Sequence, residues 1–270
     1  MVIGSFLNVV IYRLPKMMHK SWNEECCEFL EIVNEQDIDK QNYNLVFPNS
    51  QCPGCEHKIR AWENIPLISY LFLRGKCSSC RSSISIRYPL IELFSGLLSL
   101  IVAWHFGLSL QLIPALLLTW ALITLSFIDI DHQLLPDDIT LPFLWLGLLC
   151  NIFGLFTNIY SSLIGAMAGY LSLWLVYISF KLVTGKEGMG HGDFKLLAMI
   201  GAWMGWEILP LTIVLSSLCG AVIGVSMIMF QNHDRKQPIP FGPYLAIAGW
   251  IALVWGQEIT ASYNSWLLQP

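Results

Sequence analysis

Long apolar segments, separated by short polar breaks, run from Pro89 to the C-terminal region and leave few folds open to this chain. A transmembrane helix needs about 20 predominantly apolar residues, and most of these segments approach that length. Only 13% of all residues are charged, whereas about 25% are charged in an average soluble domain. The sequence therefore predicts an all-α polytopic membrane protein. We place the predicted helices at 89–106, 110–128, 139–157, 162–183, 194–208, 210–230 and 241–259.

A shorter apolar segment at residues 1–12 brings the expected number of transmembrane helices to about eight. About a dozen residues fall short of a full span, so we expect this first segment to be N-terminally incomplete. The alternative is a short, partly re-entrant helix. No basic stretch precedes the segment, so a cleavable signal peptide is not predicted. Residues 13–88 then form a polar domain inserted after the first helix, and residues 89–270 form the main membrane domain.

Basic residues fall on one side of the predicted membrane. Ten of the fifteen Lys and Arg lie in residues 13–88, and the others lie in or beside the loops 129–138, 184–193 and 231–240. Alternation of the helices places all four regions on the same side, which the positive-inside rule identifies as the cytoplasm. Acidic residues interleave with the bases of residues 13–88, so a nucleic-acid-binding surface is not predicted.

Two Cys-x-x-Cys pairs lie in the polar domain, Cys52 with Cys55 and Cys77 with Cys80. Four thiolates at this spacing are typical of a closed tetrahedral zinc site with a structural role. The alternative is a pair of redox-active motifs, which a reducing cytoplasm disfavours. His57 could replace a ligand, although a place beside the site is the simpler expectation. We expect the other cysteines to be non-ligands, namely Cys26, Cys27, Cys150 and Cys219.

Four aspartates lie in the polar loop 129–138. Asp129 directly follows apolar residues at the predicted membrane boundary, where an ionisable side chain is costly and therefore suggests a function. Asp131, two residues further into the loop, is its rival for a catalytic role. Asp137 and Asp138 precede the next apolar segment, and we interpret them as part of a solvated turn in which one of the two caps the following helix.

A further acid, Asp193, directly follows the glycine-rich stretch 188–192, whose glycines permit a close backbone approach. It could cap the next helix, or belong to a phosphate-binding loop, although the sequence pattern of such a loop is missing. It could also pair with Asp129. Two carboxylates within hydrogen-bonding reach can share one proton, which would support aspartic proteolysis without a metal. The residues alone leave this one of several possibilities.

In their order along the chain, these motifs resemble those of the bacterial type IV prepilin peptidases. The resemblance covers essentially the whole sequence. It is carried by Gly4-Ser5-Phe6-Leu7-Asn8, by Cys52-x-x-Cys55 and Cys77-x-x-Cys80 with Arg87-Tyr88-Pro89, by Ile128-Asp129-x-Asp131 with Leu135-Pro136-Asp137, by Gly190-x-Gly192-Asp193, and by Pro238-Ile239-Pro240-Phe241-Gly242-Pro243-Tyr244.

This resemblance implies that Asp129 and Asp193 are the catalytic pair, with Asp131 and Asp137 as non-catalytic members of the first motif. It implies an enzyme with structural Zn²⁺ in the bacterial inner membrane, with its active site facing the cytoplasm. The expected substrates are type IV prepilins and type II secretion pseudopilins, whose leader is cleaved and whose new N-terminal residue is N-methylated with S-adenosylmethionine. No residue is nominated for the methyl donor, because the sequence lacks a dinucleotide-binding fingerprint.

Two other classes of function remain open from the sequence. A membrane thiol redox protein would cycle the two Cys-x-x-Cys pairs between thiols and disulfides. A non-enzymatic assembly factor of a secretion complex would use the zinc domain for docking, and substitution of its aspartates would have no effect.

Overall fold

The computed structural model describes residues 2–31, 43–52, 54–55, 57–60, 63, 67–231 and 240–267. Within these ranges the regular structure is helical, and β-structure is limited to two isolated bridges. The all-α architecture predicted from hydropathy is therefore confirmed for the described residues. Their helices are α1 (Val2–Phe29), α2 (Ile68–Phe72), α3 (Arg87–Phe106), α4 (Leu112–His132), α5 (Asp137–Ile152), α6 (Ile159–Thr184), α7 (His191–Met204), α8 (Leu209–Gln231) and α9 (Gly242–Leu267), with a 3₁₀ turn at Trp206–Ile208.

Four helical stretches in the described part of the chain are long and apolar enough to cross a membrane. They coincide with four of the predicted segments. Helices α5 and α7 match two more, but their 16 and 14 residues are fewer than the about 20 that a span requires. The total of about eight membrane helices therefore stays a prediction. The four stretches are Arg87–Phe106, Leu112–His132, Ile159–Thr184 and Trp206–Ser226.

The chain divides into two compact units, Met1–Leu100 and Ile101–Pro270. In the first unit, α1 does not end at the apolar segment but continues as far as Phe29. Arg13, the first basic residue, is buried, and its guanidinium group donates hydrogen bonds to the carbonyl oxygens of Asn44, Leu45 and Pro48. These acceptors stabilise the charge of Arg13 inside the unit. The expected boundary between a membrane segment at 1–12 and a polar domain from residue 13 stays a prediction.

The N-terminal Gly-Ser-Phe-Leu-Asn motif packs α1 against α3 within the first unit. A Cβ atom on Gly4 would lie 2.8 Å from the Cα atom of Glu92, so only glycine permits this approach. One helical turn further on, the side-chain amide of Asn8 donates a hydrogen bond to the carbonyl oxygen of Tyr88 at 3.2 Å. The motif therefore has a packing role that its sequence alone did not indicate.

Helix α7 lies at the centre of the second unit. Its apolar side chains are fully enclosed, with no exposed surface on Phe194, Leu197 or Trp203. Helix α6 comes so close that a Cβ atom on Gly165 would lie 2.4 Å from the carbonyl oxygen of Gly201, the type of contact that small residues allow between membrane helices. Because protein surrounds α7, its short length is tolerated, and its first turn is held firmly in place.

Candidate active site and metal centre

The carboxylate of Asp129 is buried in the last turn of α4. Its Oδ2 atom accepts a hydrogen bond of 3.0 Å from the backbone N–H of Gly242, the first residue of α9. Backbone N–H groups at a helix N-terminus have no partner within the helix, and they favour a negative charge. Helix α4 ends just beyond the acid, where Gln133 adopts a left-handed backbone conformation with φ of 53°. Asp131, the rival predicted from the sequence, is exposed.

The carboxylate of Asp193 is buried in the first turn of α7. The N-cap of this helix is Gly190, so the interpretation of Asp193 as the capping residue is wrong. Asp193 cannot be the capping residue because it lies inside the first turn of the helix, three residues after Gly190. The acid is instead enclosed on a helix whose position is fixed by close packing with α6.

The structure brings the two acids together. The carboxylates of Asp129 and Asp193 are close enough to interact electrostatically, and the side chain of Leu135 contacts the backbone beside both. A Cβ atom on Gly192 would lie 2.8 Å from Cβ of Leu135, and one on Gly242 would lie 3.2 Å from its Cδ1 atom. The end of α4 and the starts of α7 and α9 therefore converge on one buried site with two carboxylates.

We expect Gly242→Ala to lower the activity of this site about a hundredfold, because small displacements of reacting groups can cost that much. The added Cβ atom would lie 2.6 Å from Oδ2 of Asp129 and 3.1 Å from its Cγ atom, so the carboxylate must move. Ile247→Ala is the matched control, since Ile247 lies on the same helix with an exposed side chain. Turnover of each purified variant measures the effect, and full activity of Gly242→Ala would contradict this account of Asp129.

Asp137 and Asp138 lie in the first turn of α5, but neither is the capping residue, because the N-cap is Pro136 and has no side-chain cap hydrogen bond. The predicted capping role is therefore wrong. Both carboxylate oxygens of Asp137 instead accept hydrogen bonds from the ammonium group of Lys195, each at 2.7 Å. Lys195 follows Asp193 by two residues in α7, so this ion pair links the two acidic motifs.

An ion pair and hydrogen bonds connect the glycine-rich loop before α7 to the last turns of α6. Lys181 pairs with Glu187 at 2.7 Å, and the Tyr177 hydroxyl lies 3.3 Å from both groups. The Lys181 ammonium group, as a hydrogen-bond donor, is the main cause of the lowered pKa of Glu187. The ring of His191 packs 5.3 Å from that of Tyr177. Contacts among Tyr177, Lys181 and Glu187 were not predicted, because the spacing of these residues around a helix end carries no signal that their side chains meet.

The four predicted metal ligands form a single cluster in the first unit. The sulfur atoms of Cys52, Cys55, Cys77 and Cys80 all lie within 4.8 Å of one another. Sulfur atoms bound tetrahedrally at about 2.3 Å from a zinc ion would lie about 3.8 Å apart, and the Cys52 and Cys80 sulfur atoms are 3.8 Å apart. The four residues therefore fit a tetrahedral metal ion. The four other cysteines lie outside this cluster.

The surroundings of the cysteine cluster favour thiolates at two positions. The hydroxyl group of Ser82 is the main cause that lowers the pKa of Cys52, to about 6, and also the main cause that lowers the pKa of Cys80. Thiolates are the form that binds metal ions. His57 lies beside the cluster, with its Nε2 atom 3.5 Å from a carboxylate oxygen of Glu63. This position agrees with the expectation that His57 lies beside the metal site and is not one of its ligands.

The chain matches two protein families over most of its length. Residues 1–106 match the Bacterial Peptidase A24 N-terminal domain, and residues 116–225 match the Type IV leader peptidase family. It is 63% identical over 263 residues to a protein of Stutzerimonas stutzeri named Prepilin leader peptidase/N-methyltransferase, with 97% of this chain and 90% of the relative covered.

Other relatives carry the same name. The protein of Pseudomonas aeruginosa is 62% identical, with 97% of this chain and 90% of the relative covered. The protein of Legionella pneumophila is 47% identical, with 97% and 91% covered. No solved structure matches the chain at a significant level.

Proposed function

The chain belongs to the type IV leader peptidase family and combines a prepilin leader peptidase with an N-methyltransferase, and we propose that Asp129 and Asp193 are the catalytic pair of the peptidase. The convergence of the two buried carboxylates supports this assignment most strongly. Burying two acids close to each other is unfavourable unless a proton is shared between them. Such an arrangement costs stability and is expected where catalysis requires it.

The pair would cleave a peptide bond by activating water. One carboxylate accepts a proton from the water molecule, whose oxygen atom attacks the carbonyl carbon of the bond. The other carboxyl group donates its proton to the carbonyl oxygen, which avoids a separated oxyanion in this apolar region. The tetrahedral intermediate then collapses: the carboxyl group that accepted the proton from water passes it to the departing amine, and the other carboxylate regains its proton from a hydroxyl group of the intermediate. Neither a metal ion nor a covalent intermediate is needed, and the hydrogen bond from Gly242 orients Asp129 throughout.

We place this centre on the cytoplasmic side of the bacterial inner membrane, within a bundle of about eight membrane helices. The one-sided distribution of the fifteen basic residues supports this orientation. The substrates would be type IV prepilins and type II secretion pseudopilins, whose basic leader remains in the cytoplasm. Cleavage there leaves the apolar part of the substrate in the bilayer, beside the buried acids.

Two cofactors complete the proposal. The four-cysteine cluster would bind Zn²⁺ in a structural role, because all four positions of a tetrahedral ion are taken by protein ligands. The methyltransferase would use S-adenosylmethionine, which supplies the methyl group for the new N-terminal amine. The methyl-donor site is not assigned to any residue, whereas the peptidase centre is assigned to Asp129 and Asp193.

Incubation of the purified protein with a prepilin, with and without S-adenosylmethionine, tests both activities. Mass measurement should show loss of the leader in both reactions, and one added methyl group only where the donor is present. An intact prepilin would contradict the peptidase assignment. Thiol trapping during turnover tests the redox alternative, because disulfides that form and break with turnover would support that function against the proposed one.

A further inference from the structure

We infer that the ion pair between Lys195 and Asp137 is a positioning device for the peptidase, which sets how the two catalytic aspartates face each other. The inference rests on the proposed function of Asp129 and Asp193. The Lys195 ammonium group lies 2.7 Å from both carboxylate oxygens of Asp137, so it bridges the two oxygens symmetrically. One partner belongs to the segment that follows Asp129, and the other to the helix turn that carries Asp193.

Helix geometry directs Lys195 away from the carboxylate pair. Successive residues of an α-helix are rotated by about 100°, so residues two apart lie on nearly opposite faces. Asp193 is buried, while the Lys195 side chain is 31% exposed and extends to the start of α5. Lys195 is therefore a positioning residue, because it meets Asp137 and not the reacting groups.

A second contact makes this ion pair effective. Leu135, two residues before Asp137, packs on Gly192 of α7 and also lies against Gly242 beside Asp129. The short loop after α4 and the first residue of α5 are thus attached to α7 at two neighbouring points, one apolar and one ionic. If the ionic attachment is lost, Leu135 can shift on Gly192, and the packing that positions the backbone beside the two carboxylates loosens.

Stabilisation of the fold is a weaker explanation of the pair. The two side chains are 31% and 50% exposed, and ion pairs at such exposure contribute little to folding. Asp137 could also act as a negative charge in the first turn of α5, but Asp138 supplies the same charge next to it. A displacement of about 1 Å in an active site can lower turnover about a hundredfold, so even a weak attachment can matter strongly for catalysis.

The test is a double-mutant cycle on prepilin cleavage with the full-length protein. We expect Asp137→Asn and Lys195→Met each to lower kcat at least about tenfold with little change in KM. The double variant should be no worse than either single variant, because both remove the same interaction. Lys195→Arg should retain most of the activity. Asp138→Asn and Lys186→Met, both at exposed positions, should match the unsubstituted protein.

Methylation of a prepilin that has already been cleaved reports on folding in the same samples and should be unchanged. Single-variant effects that multiply in the double variant, or an equal loss in Asp138→Asn, would overturn the inference. Normal cleavage by both single variants would overturn it as well. Asp129→Asn, measured in parallel, keeps the two proposals apart: an inactive Asp129→Asn beside a normal Lys195→Met refutes only the ion pair, whereas an active Asp129→Asn refutes the proposed function itself.

Discussion

Asp129→Asn and Asp193→Asn are each expected to abolish leader cleavage, with a loss of at least about a thousandfold in kcat. A positioned acid or base contributes about 10² to 10⁴ to the rate, and each variant removes one of two groups that must act together. Asparagine keeps the shape of both side chains, and at position 129 its amide oxygen can still accept the hydrogen bond from Gly242. The loss should therefore come from the missing ionisable group. Quantification of cleaved prepilin by mass measurement checks the expectation.

The control for this pair is Asp131→Asn, because Asp131 is an exposed member of the same motif. It should cleave at close to the normal rate. All three variants should reach the membrane in normal amounts and should methylate a prepilin that has already been cleaved. Turnover by Asp129→Asn or Asp193→Asn at a rate close to normal would refute the assignment. Inactivity of Asp131→Asn would indicate a catalytic role for Asp131.

The aspartates could be selected from the sequence because of where they stand relative to the apolar segments. An ionisable side chain at the end of an apolar segment is costly to bury and therefore suggests a function. The structure buries both Asp129, which follows such a segment, and Asp193, which precedes one. Asp131 lies only two residues further on and is exposed. Position at the membrane boundary therefore favoured Asp129, but only the resemblance to the prepilin peptidases implied its choice over Asp131.

The partner of Asp129 could not be predicted in the same way. Gly242 is 113 residues further along the chain, and a glycine carries no chemical group that would suggest an active-site role. Its part in the site follows from the convergence of α4 and α9, which is a property of tertiary packing. The same limit applies to Asp137, where local sequence favoured a helix cap and a distant lysine supplied the partner.

The length of α7 shows a similar limit in the fold. Hydropathy marked residues 194–208 as a short span, and the helix itself has 14 residues. What makes so short a helix stable is the enclosure of its side chains by α5, α6 and α9. Sequence periodicity reports how apolar a segment is, but it does not report which neighbours surround it.

Cys52→Ser and Cys77→Ser are expected to lower the amount of protein in the membrane at least about fivefold. In a structural zinc site the binding free energy is part of the folding free energy, and a change of a few kcal/mol can reduce the abundance of a protein in cells severalfold. These two cysteines are the buried members of the cluster, so their loss leaves a ligand position open inside the unit. Quantitative immunoblotting of membranes and zinc content per purified chain provide the measurements.

Cys26→Ser is the matched control for the metal site, because Cys26 is an exposed free thiol in the same unit and lies outside the cluster. It should leave abundance, zinc content and cleavage unchanged. If Cys52→Ser and Cys77→Ser kept normal abundance and normal cleavage, the cluster would have no structural role. Normal abundance with disulfides that cycle during turnover would favour redox chemistry instead. Because four protein ligands leave no open position on a tetrahedral ion, loss of the metal should act on cleavage through folding and not through the catalytic step.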